Sequence, residues 1–317
     1  ASSRISPEEI SLSGSRGGCR GTTILYLHCL SGLRGFLGVK VVTDSVADIP
    51  APTAQELGIA VVPAYVRFGS EEYRDGIDLS TDEFYRRLVG DSNFPATSTP
   101  SPAAFAEVYD KLAEETNEII SVHPSAKFGA LYDAALLGRD TVKKRSCRIE
   151  VIDTLAGIMG QGLIVIAAAQ SAQTGASLDE VVEAVNRVIP RVHVRITFDT
   201  LEYLRRGGRV GKAQALLGSL LKINPILGIK DGEAYPFGKV RGRAKAIDYL
   251  YDFVASFSHI SSLAVEHATT PDEAEMLINR LDSLFPKERI YRSKVSPVVG
   301  AHVGPHVIAV SVLEGEY

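Results

Sequence analysis

The sequence predicts an α/β protein of two domains. The first is a three-layer α/β/α domain on a mainly parallel sheet, and the second a two-layer α/β domain on a mixed sheet. Three observations carry this. Short apolar runs alternate with helical patterns from residue 39 to Pro190, the signature of βαβ units with helices on both faces of a sheet. Beyond Pro190 strand-like runs crowd together and include a hairpin pattern around Asp231-Gly232, so the second sheet is expected to be mixed. The length, 317 residues with 45% hydrophobic and 23% charged side chains, suits one large or two ordinary globular domains. The expected boundaries are an extension over 1–38, poorly ordered, then domains over 39–190 and 191–317.

Each element has a local reason. "VKVVTDS" from Val39 is an apolar run ending in Thr43, Asp44 and Ser45, a buried strand feeding a polar loop. "IAVVPAYVRF" (59–68) reads as one strand in which Pro63 marks an edge or bend. Asp75-Gly76 signals a turn, and Ser80 with Glu83 caps a short helix carrying Phe84, Tyr85 and Leu88. In "PATSTPSP" (95–102), Ser101 is a good N-cap and Pro102 a good first helical residue, so the stretch reads as an ordered helix entry rather than a linker. Phe105, Val108, Tyr109 and Leu112 then fall at helical spacing.

"EIISVH" (118–123) and "RIEVID" (148–153) are strands, with a helical pattern from near Gly129 between them. "IMGQGLIVIAAAQSA" (158–172) is apolar nearly all round and reads as a buried helix; Ser177 with Glu180 caps the next, which ends at Pro190. In the second half "HVRITF", "INPILGIKDGEAYPFGKVRG", "SSLAVEHA", "RIYRSKV" and "HVIAVSVL" are strands, and helices intervene near 243–258 and 271–285. Ligands of parallel α/β sheets sit outside the carboxyl ends of the strands. Here those ends are Thr43-Asp44-Ser45, His123-Pro124-Ser125 and Asp153-Thr154.

Composition narrows function. A net charge of −4 favours neither nucleic acid nor an anionic membrane as a general partner. The three cysteines, Cys19, Cys29 and Cys147, form no CxxC pair and make a poor disulfide framework, so reduced thiols and a cytoplasmic location are expected. No apolar run is long enough to span a membrane. The polar, Gly/Ser-rich start followed by "TTILYLHCLSGL" has the outline of a signal peptide. His28 interrupts the run, however, and no clean cleavage site follows, so an extension or misassigned start is the better reading.

Two segments could carry chemistry. "LEYLRRGGRVGK" (201–212) gathers Arg205, Arg206, Arg209 and Lys212 around a double glycine. It reads either as an anion site, with guanidinium groups beside free backbone amides, or as a solvated helix end whose cations complement the dipole. It lacks a residue between the glycines and the Ser/Thr of a P-loop, so nucleotide binding by that motif is rejected. "GAHVGPHV" (300–307) holds His302 and His306. Its glycines and proline argue against a helix, hence against a metal pair, and leave a structural histidine or a single anion donor in a tight turn. The hydroxyls of Thr97 and Ser98 are placed by the same logic beside the amides opening the next helix. No nucleophile elbow, zinc motif or dinucleotide fingerprint is present.

Taken in order, "VVTDSVADIP", "LGIAVVPAYVRF", "YRDGIDLSTDEFY", "ATSTPSP", "FDTLEYLRRGGRVG", "INPILGIKDG", "VRGRAKA" and "GAHVGP" resemble the DegV family of bacterial fatty-acid-binding proteins, from about Val39 to the C-terminus. The family is similar in architecture to one subunit of dihydroxyacetone kinase. The resemblance implies a long-chain fatty acid such as palmitate, stearate or oleate as ligand, with no cofactor, metal or nucleic acid and no stable membrane insertion. The acyl tail would lie in a tunnel of the first domain, and the second would close over the head group. The protein would present the carboxylate to a separate ATP-dependent kinase subunit, whose acyl phosphate feeds phospholipid synthesis, and would not itself be an enzyme. The residues implied for the carboxylate are Thr97, Ser98, Arg206, Arg209, Arg241 and His302, with Ser125, Gly129 and Ala130 secondary. Where family members read H-I-S-S-K-L-S-G-T-Y, this chain reads "HPSAKFGALY" (123–132), so Gly129 stands where a ligand-binding serine is expected. The alternatives are a small-molecule enzyme acting on a hydroxyketone or phosphate, and a member that has lost its ligand.

Overall fold

The computed structural model describes residues 38–90, 94–216 and 223–315; the expected extension, with Cys19 and Cys29, lies outside them apart from Gly38. Strand β1 (Lys40–Asp44) leads through a short turn to α1 (Ala51–Glu56) and β2 (Ile59–Val62). The chain then leaves that sheet. Pro63 cannot donate to a ladder, and β3 (Tyr65–Phe68), β4 (Glu71–Arg74) and, after α2 (Thr81–Gly90), β5 (Ala96–Ser98) form a separate antiparallel sheet in the order β4-β3-β5. The run expected as one bent strand is therefore two strands in two sheets.

Helix α3 (Pro102–Ala113) starts as expected, with the Ser101 hydroxyl accepting from the Ala104 amide. It is followed by β6 (Glu118–His123), α4 (Leu131–Arg139) and β7 (Arg148–Asp153). Strands β2, β1, β6 and β7 lie in that order, all parallel. Apolar side chains of α3 and α4 cover one face of this sheet. The other face packs on α5 (Ile158–Gln173) and α6 (Leu178–Val188), the latter opened by a complete Ser177–Glu180 capping box. Every residue from Ile158 to Ala169 is buried, because α5 is also packed against the second sheet. A Cβ on Gly160 would stand 2.5 Å from Val194 Cγ2 and one on Gly162 2.6 Å from the Ala47 carbonyl, so these glycines set the close approach.

The second half continues with β8 (Val192–Thr197), α7 (Glu202–Arg206), β9 (Asn224–Lys230) and β10 (Glu233–Val240), then α8 (Arg243–Ala255), β11 (Ile260–His267) and α9 (Pro271–Leu281). It ends with β12 (Tyr291–Lys294), α10 (Pro297–Val303) and β13 (Ile308–Glu314). Its sheet has the order β10-β9-β8-β13-β11-β12 and is mixed, β11–β12 being parallel and the other pairs antiparallel. Asp231 and Gly232 both take positive φ at the β9–β10 turn, as an Asp-Gly hairpin turn requires. Helices α8 and α9 cover the outer face. On the inner face Val194, Ile196 and Leu227 join one core with Val66, Phe68 and Phe84 from the first half.

Helix α10 corrects the sequence reading. "GAHVGPHV" was not expected to be helical, yet Ser296 and Pro297 open a helix that carries through His302 and stops at Gly304, φ 85°. Only its second half lies in the quoted segment, so the glycines and proline that argued against a helix mark its end. Among the described residues no helix is long and apolar enough to cross a membrane.

Candidate functional site

A cavity lies between the inner face of the mixed sheet, α10, the start of α5 and the β5 strand. Its empty space, counted with the solvent at its open mouth, is about 980 Å³. Apolar residues from both halves line it: Val46, Phe128 and Ile158 from the first, and Ile196, Phe198 and Leu227 among those of the second. The lining is therefore shared, whereas the resemblance placed the tunnel within residues 39–190. The reason is that the inner face of the mixed sheet supplies one wall.

Polar groups gather at Thr97, Ser98, Thr99, Gly129, Arg209 and His302. Pairing of β5 with β3, Thr97 opposite Val66, fixes the backbone of Thr97. Helix α10 brings His302 to it across 205 positions, with His302 Nε2 2.9 Å from Thr97 Oγ1. Burial first, then the charge of Arg209, holds the His302 pKa down to about 4, so the ring is neutral near pH 7. Its other nitrogen, Nδ1, has no hydrogen-bond partner among the described residues and lies against Gly207, where an added Cβ would come within 2.1 Å. A bare buried acceptor is tolerated better than an unpaired buried N–H. We therefore assign the proton to Nε2, which donates to Thr97 and leaves the threonine's own proton to donate into the cavity.

Arg209 is held at two points. Its Nε donates to the Phe128 carbonyl at 3.0 Å and its Nη1 to the Gly207 carbonyl at 2.6 Å. Nη2 lies 3.9 Å from where a Gly129 Cβ would stand, and apart from Gly129's chain neighbours no other atom of the described residues comes within 4 Å of that position. The guanidinium thus spans both halves and keeps a donor beside the cavity. The anion-site alternative for residues 201–212 fits Arg209. The free amides it supposed do not exist, because the amides of Gly207, Gly208 and Arg209 donate to the carbonyls of Tyr203, Arg205 and Leu204.

The remaining expected residues stand elsewhere. Ser98 borders the cavity but donates to Glu72 Oε1 at 2.9 Å. Arg206 is paired with Glu202 at 2.8 Å and lies over the Phe94 ring, outside the lining. Arg241 is exposed in the turn before α8, Ala130 is exposed at the start of α4, and neither lines the cavity. Ser125 is buried and accepts from the Lys127 amide, also away from the lining. Thr97 and Ser98 belong to β5, and only Ser101 serves the N-terminus of α3. His306 is exposed beside Asp199 and shares nothing with His302.

Of the expected rim at the strand ends, Pro124 reaches the cavity and Ser45 and Asp153 are half-buried, whereas Asp44 and His123 belong to a packed interior. Asp44 Oδ2 is 2.6 Å from His123 Nδ1, His123 Nε2 is 2.7 Å from Ser121 Oγ, and Tyr109 OH is 2.7 Å from the same oxygen. All of these residues are sealed from solvent. The connections resemble a Ser-His-Asp triad, but a nucleophile needs access, and here α3 and α5 close it off. Thr99, Phe128 and Gly207 were missed. Thr99 was visible in the hydroxyl-rich stretch. The task of Gly207, clearing space for His302, depends on a contact almost a hundred positions away.

The family model described as "Uncharacterised protein, DegV family" matches residues 38–315. A DegV domain-containing protein of Caldanaerobacter subterraneus is 35% identical over 276 residues, 86% of this chain and 97% of that protein. Among solved structures, one described as fatty acid binding of a DegV family protein from Thermus thermophilus superposes with a TM-score of 0.81 at 32% identity, covering 88% of this chain and all of that one. Bacillus subtilis DegV, described as a fatty acid binding protein, gives 0.80 at 28% identity with the same coverage. The shared parallel sheet, mixed sheet and near-complete coverage lead to one conclusion: the chain belongs to the DegV family.

Proposed function

We propose that this protein binds one long-chain fatty acid, with its tail along the apolar lining and its carboxylate at Thr97, Arg209 and His302. The observation that carries the reading is the make-up of the cavity: apolar side chains over most of its wall, and at one place a neutral histidine that turns a threonine hydroxyl inward beside an arginine. An anionic head group suits such donors. Burying about fifteen methylene groups contributes roughly 12 kcal/mol gross at about 0.8 each, before association costs. The tail therefore supplies affinity and the head group orientation. Relatives described as fatty acid binding proteins support the reading.

The further role is that of a cytoplasmic, non-enzymatic carrier that presents the carboxylate to a partner ATP-dependent kinase for acyl phosphate formation. A small-molecule enzyme would need a compact polar pocket, and Ile196, Phe198 and Leu227 disfavour it. Mass spectrometry of freshly purified protein, native and then denatured, tests the binding step. A bound mass that resolves into a fatty acid is expected. Protein that carries no acyl chain and takes up none on addition would overturn it. For the carrier role, protein loaded with oleate is mixed with ATP and a fatty acid kinase subunit, and hydroxylamine should trap an acyl hydroxamate.

A further inference from the structure

Beneath the cavity wall lies a cluster of carboxyl groups that ligand binding as described does not use. Asp48, Asp75 and Glu266 are 7%, 4% and 0% exposed. Asp48 Oδ1 accepts from the Ser296 amide at 3.2 Å, at the start of α10, and its backbone carbonyl accepts from the Ser293 hydroxyl. Glu266 Oε1 accepts from the Met159 amide at 3.1 Å, at the start of α5. Asp75 lies beside the backbone of Val298, also in α10, and neither of its carboxyl oxygens has a hydrogen-bond partner among the described residues. The carboxyls of Asp48 and Glu266 act directly on each other, and neither Asp48 Oδ2 nor Glu266 Oε2 has a hydrogen-bond partner among the described residues. Two carboxyl groups can bond only if one holds a proton.

We propose that Asp48 and Glu266 are positioning residues for the head-group site, and that by sharing one buried proton they tie the start of α5 to the start of α10 and so set where His302 stands against Thr97. The two helices contribute Ile158, Val298, Val299 and His302 to the cavity. The groups facing the pair are the Asp75 carboxyl, the Ser296 hydroxyl and Tyr85, with Asp44 and the Ser45 hydroxyl acting on Asp75. None of these is a cation, so among the described residues nothing but a proton offsets the second negative charge. Burial pushes Glu266 up to about 8 and Asp48 in the same direction. When the proton leaves, two like charges meet in a dry site. The hydrogen bond that the Ser296 amide donates to Asp48 is where α10 yields.

The test has two arms, of which only the second rests on the fatty-acid reading. In the first, histidine-labelled protein without ligand is titrated by NMR from pH 6 to 9.5, with His302 assigned from His302→Ala. His302 is neutral throughout this range, yet its signals should move with a midpoint above neutrality. Asp48→Asn keeps the acceptor for Ser296 and offers Glu266 an N–H without a shared proton, so the movement should vanish. Glu266→Gln should act alike. Flat wild-type signals, or an unchanged midpoint in Asp48→Asn, would overturn the proposal. In the second arm the dissociation constant for oleate should rise at least tenfold from pH 6.5 to 9 in the wild type and less than threefold in either variant. Equal pH slopes would overturn it. Wild type that binds no oleate at any pH sinks the fatty-acid reading, and the NMR arm still decides the pairing.

Discussion

His123 and His302 show what separates a packed polar group from a usable one. Both were read from strand ends or turns near the expected ligand. His123 has both ring nitrogens bonded, to Asp44 and Ser121, and no solvent exposure. His302 has one nitrogen on Thr97 and the other against the bare Cα of Gly207, and it borders the cavity. A satisfied histidine stabilises the fold. One whose partner still has a proton to give can recognise a ligand.

The largest effect expected from this contrast is on the sealed side. His123→Ala leaves the buried Asp44 carboxylate without its closest partner and should destabilise the protein by about 3–5 kcal/mol in denaturant melts, with little change in ligand affinity per folded molecule. The buried acids come next. Burial raises Asp75 to about 7, so the folded state holds a proton that the unfolded state has lost between about pH 4 and 7. Stability from this group is complete below its unfolded pKa and falls as pH rises through that window, by roughly 4 kcal/mol at the alkaline end. A melting temperature that climbs steadily from pH 4 to 8 would contradict it.

On the open side the effects fall on affinity. His302→Ala and Thr97→Val should each weaken fatty-acid binding roughly ten- to hundredfold, the worth of a hydrogen bond to a charged group, with small losses of stability by comparison. Gly207→Ala should mimic His302→Ala, because the new methyl occupies the place of Nδ1; Gly208→Ala, with nothing within 4 Å, should cost only backbone strain. Gly129→Ser is the smallest and the only gain. The position has room and no positive φ, so a hydroxyl beside Arg209 should tighten binding by up to about tenfold. In that background Thr97→Val should hurt less than in the native chain, and equal losses by isothermal titration would refute the compensation.

Much of the fold was legible because its signals are local. Ser101-Pro102 and the Ser177–Glu180 box start helices where the caps said they would, and Asp231-Gly232 turns a hairpin. Ser296-Pro297 carries the same signature as Ser101-Pro102, but the glycines and proline downstream argue against a helix, which leaves α10 illegible in the sequence. Pro63 was read as a bend because one chain cannot say that the residues beyond it join another sheet. In the site, Thr97, Arg209 and His302 came through the resemblance and meet in space. Arg206 and Arg241 came with them and do not, since neither a cationic run nor an arginine in a turn tells which guanidinium faces inward. The sharing of the cavity wall and the clearance at Gly207 depend on packing between distant segments, which has no period or motif.

That shared wall has a thermodynamic consequence. Ile158 reaches the cavity from one sheet's helix layer and Leu227 from the other sheet, so an acyl chain between them would complete a hydrophobic core with material brought from outside the polypeptide. Folding and loading then become one equilibrium. Each tenfold excess of free fatty acid over its dissociation constant should add about 1.4 kcal/mol of resistance to unfolding, and delipidated protein should be the form that proteases find first.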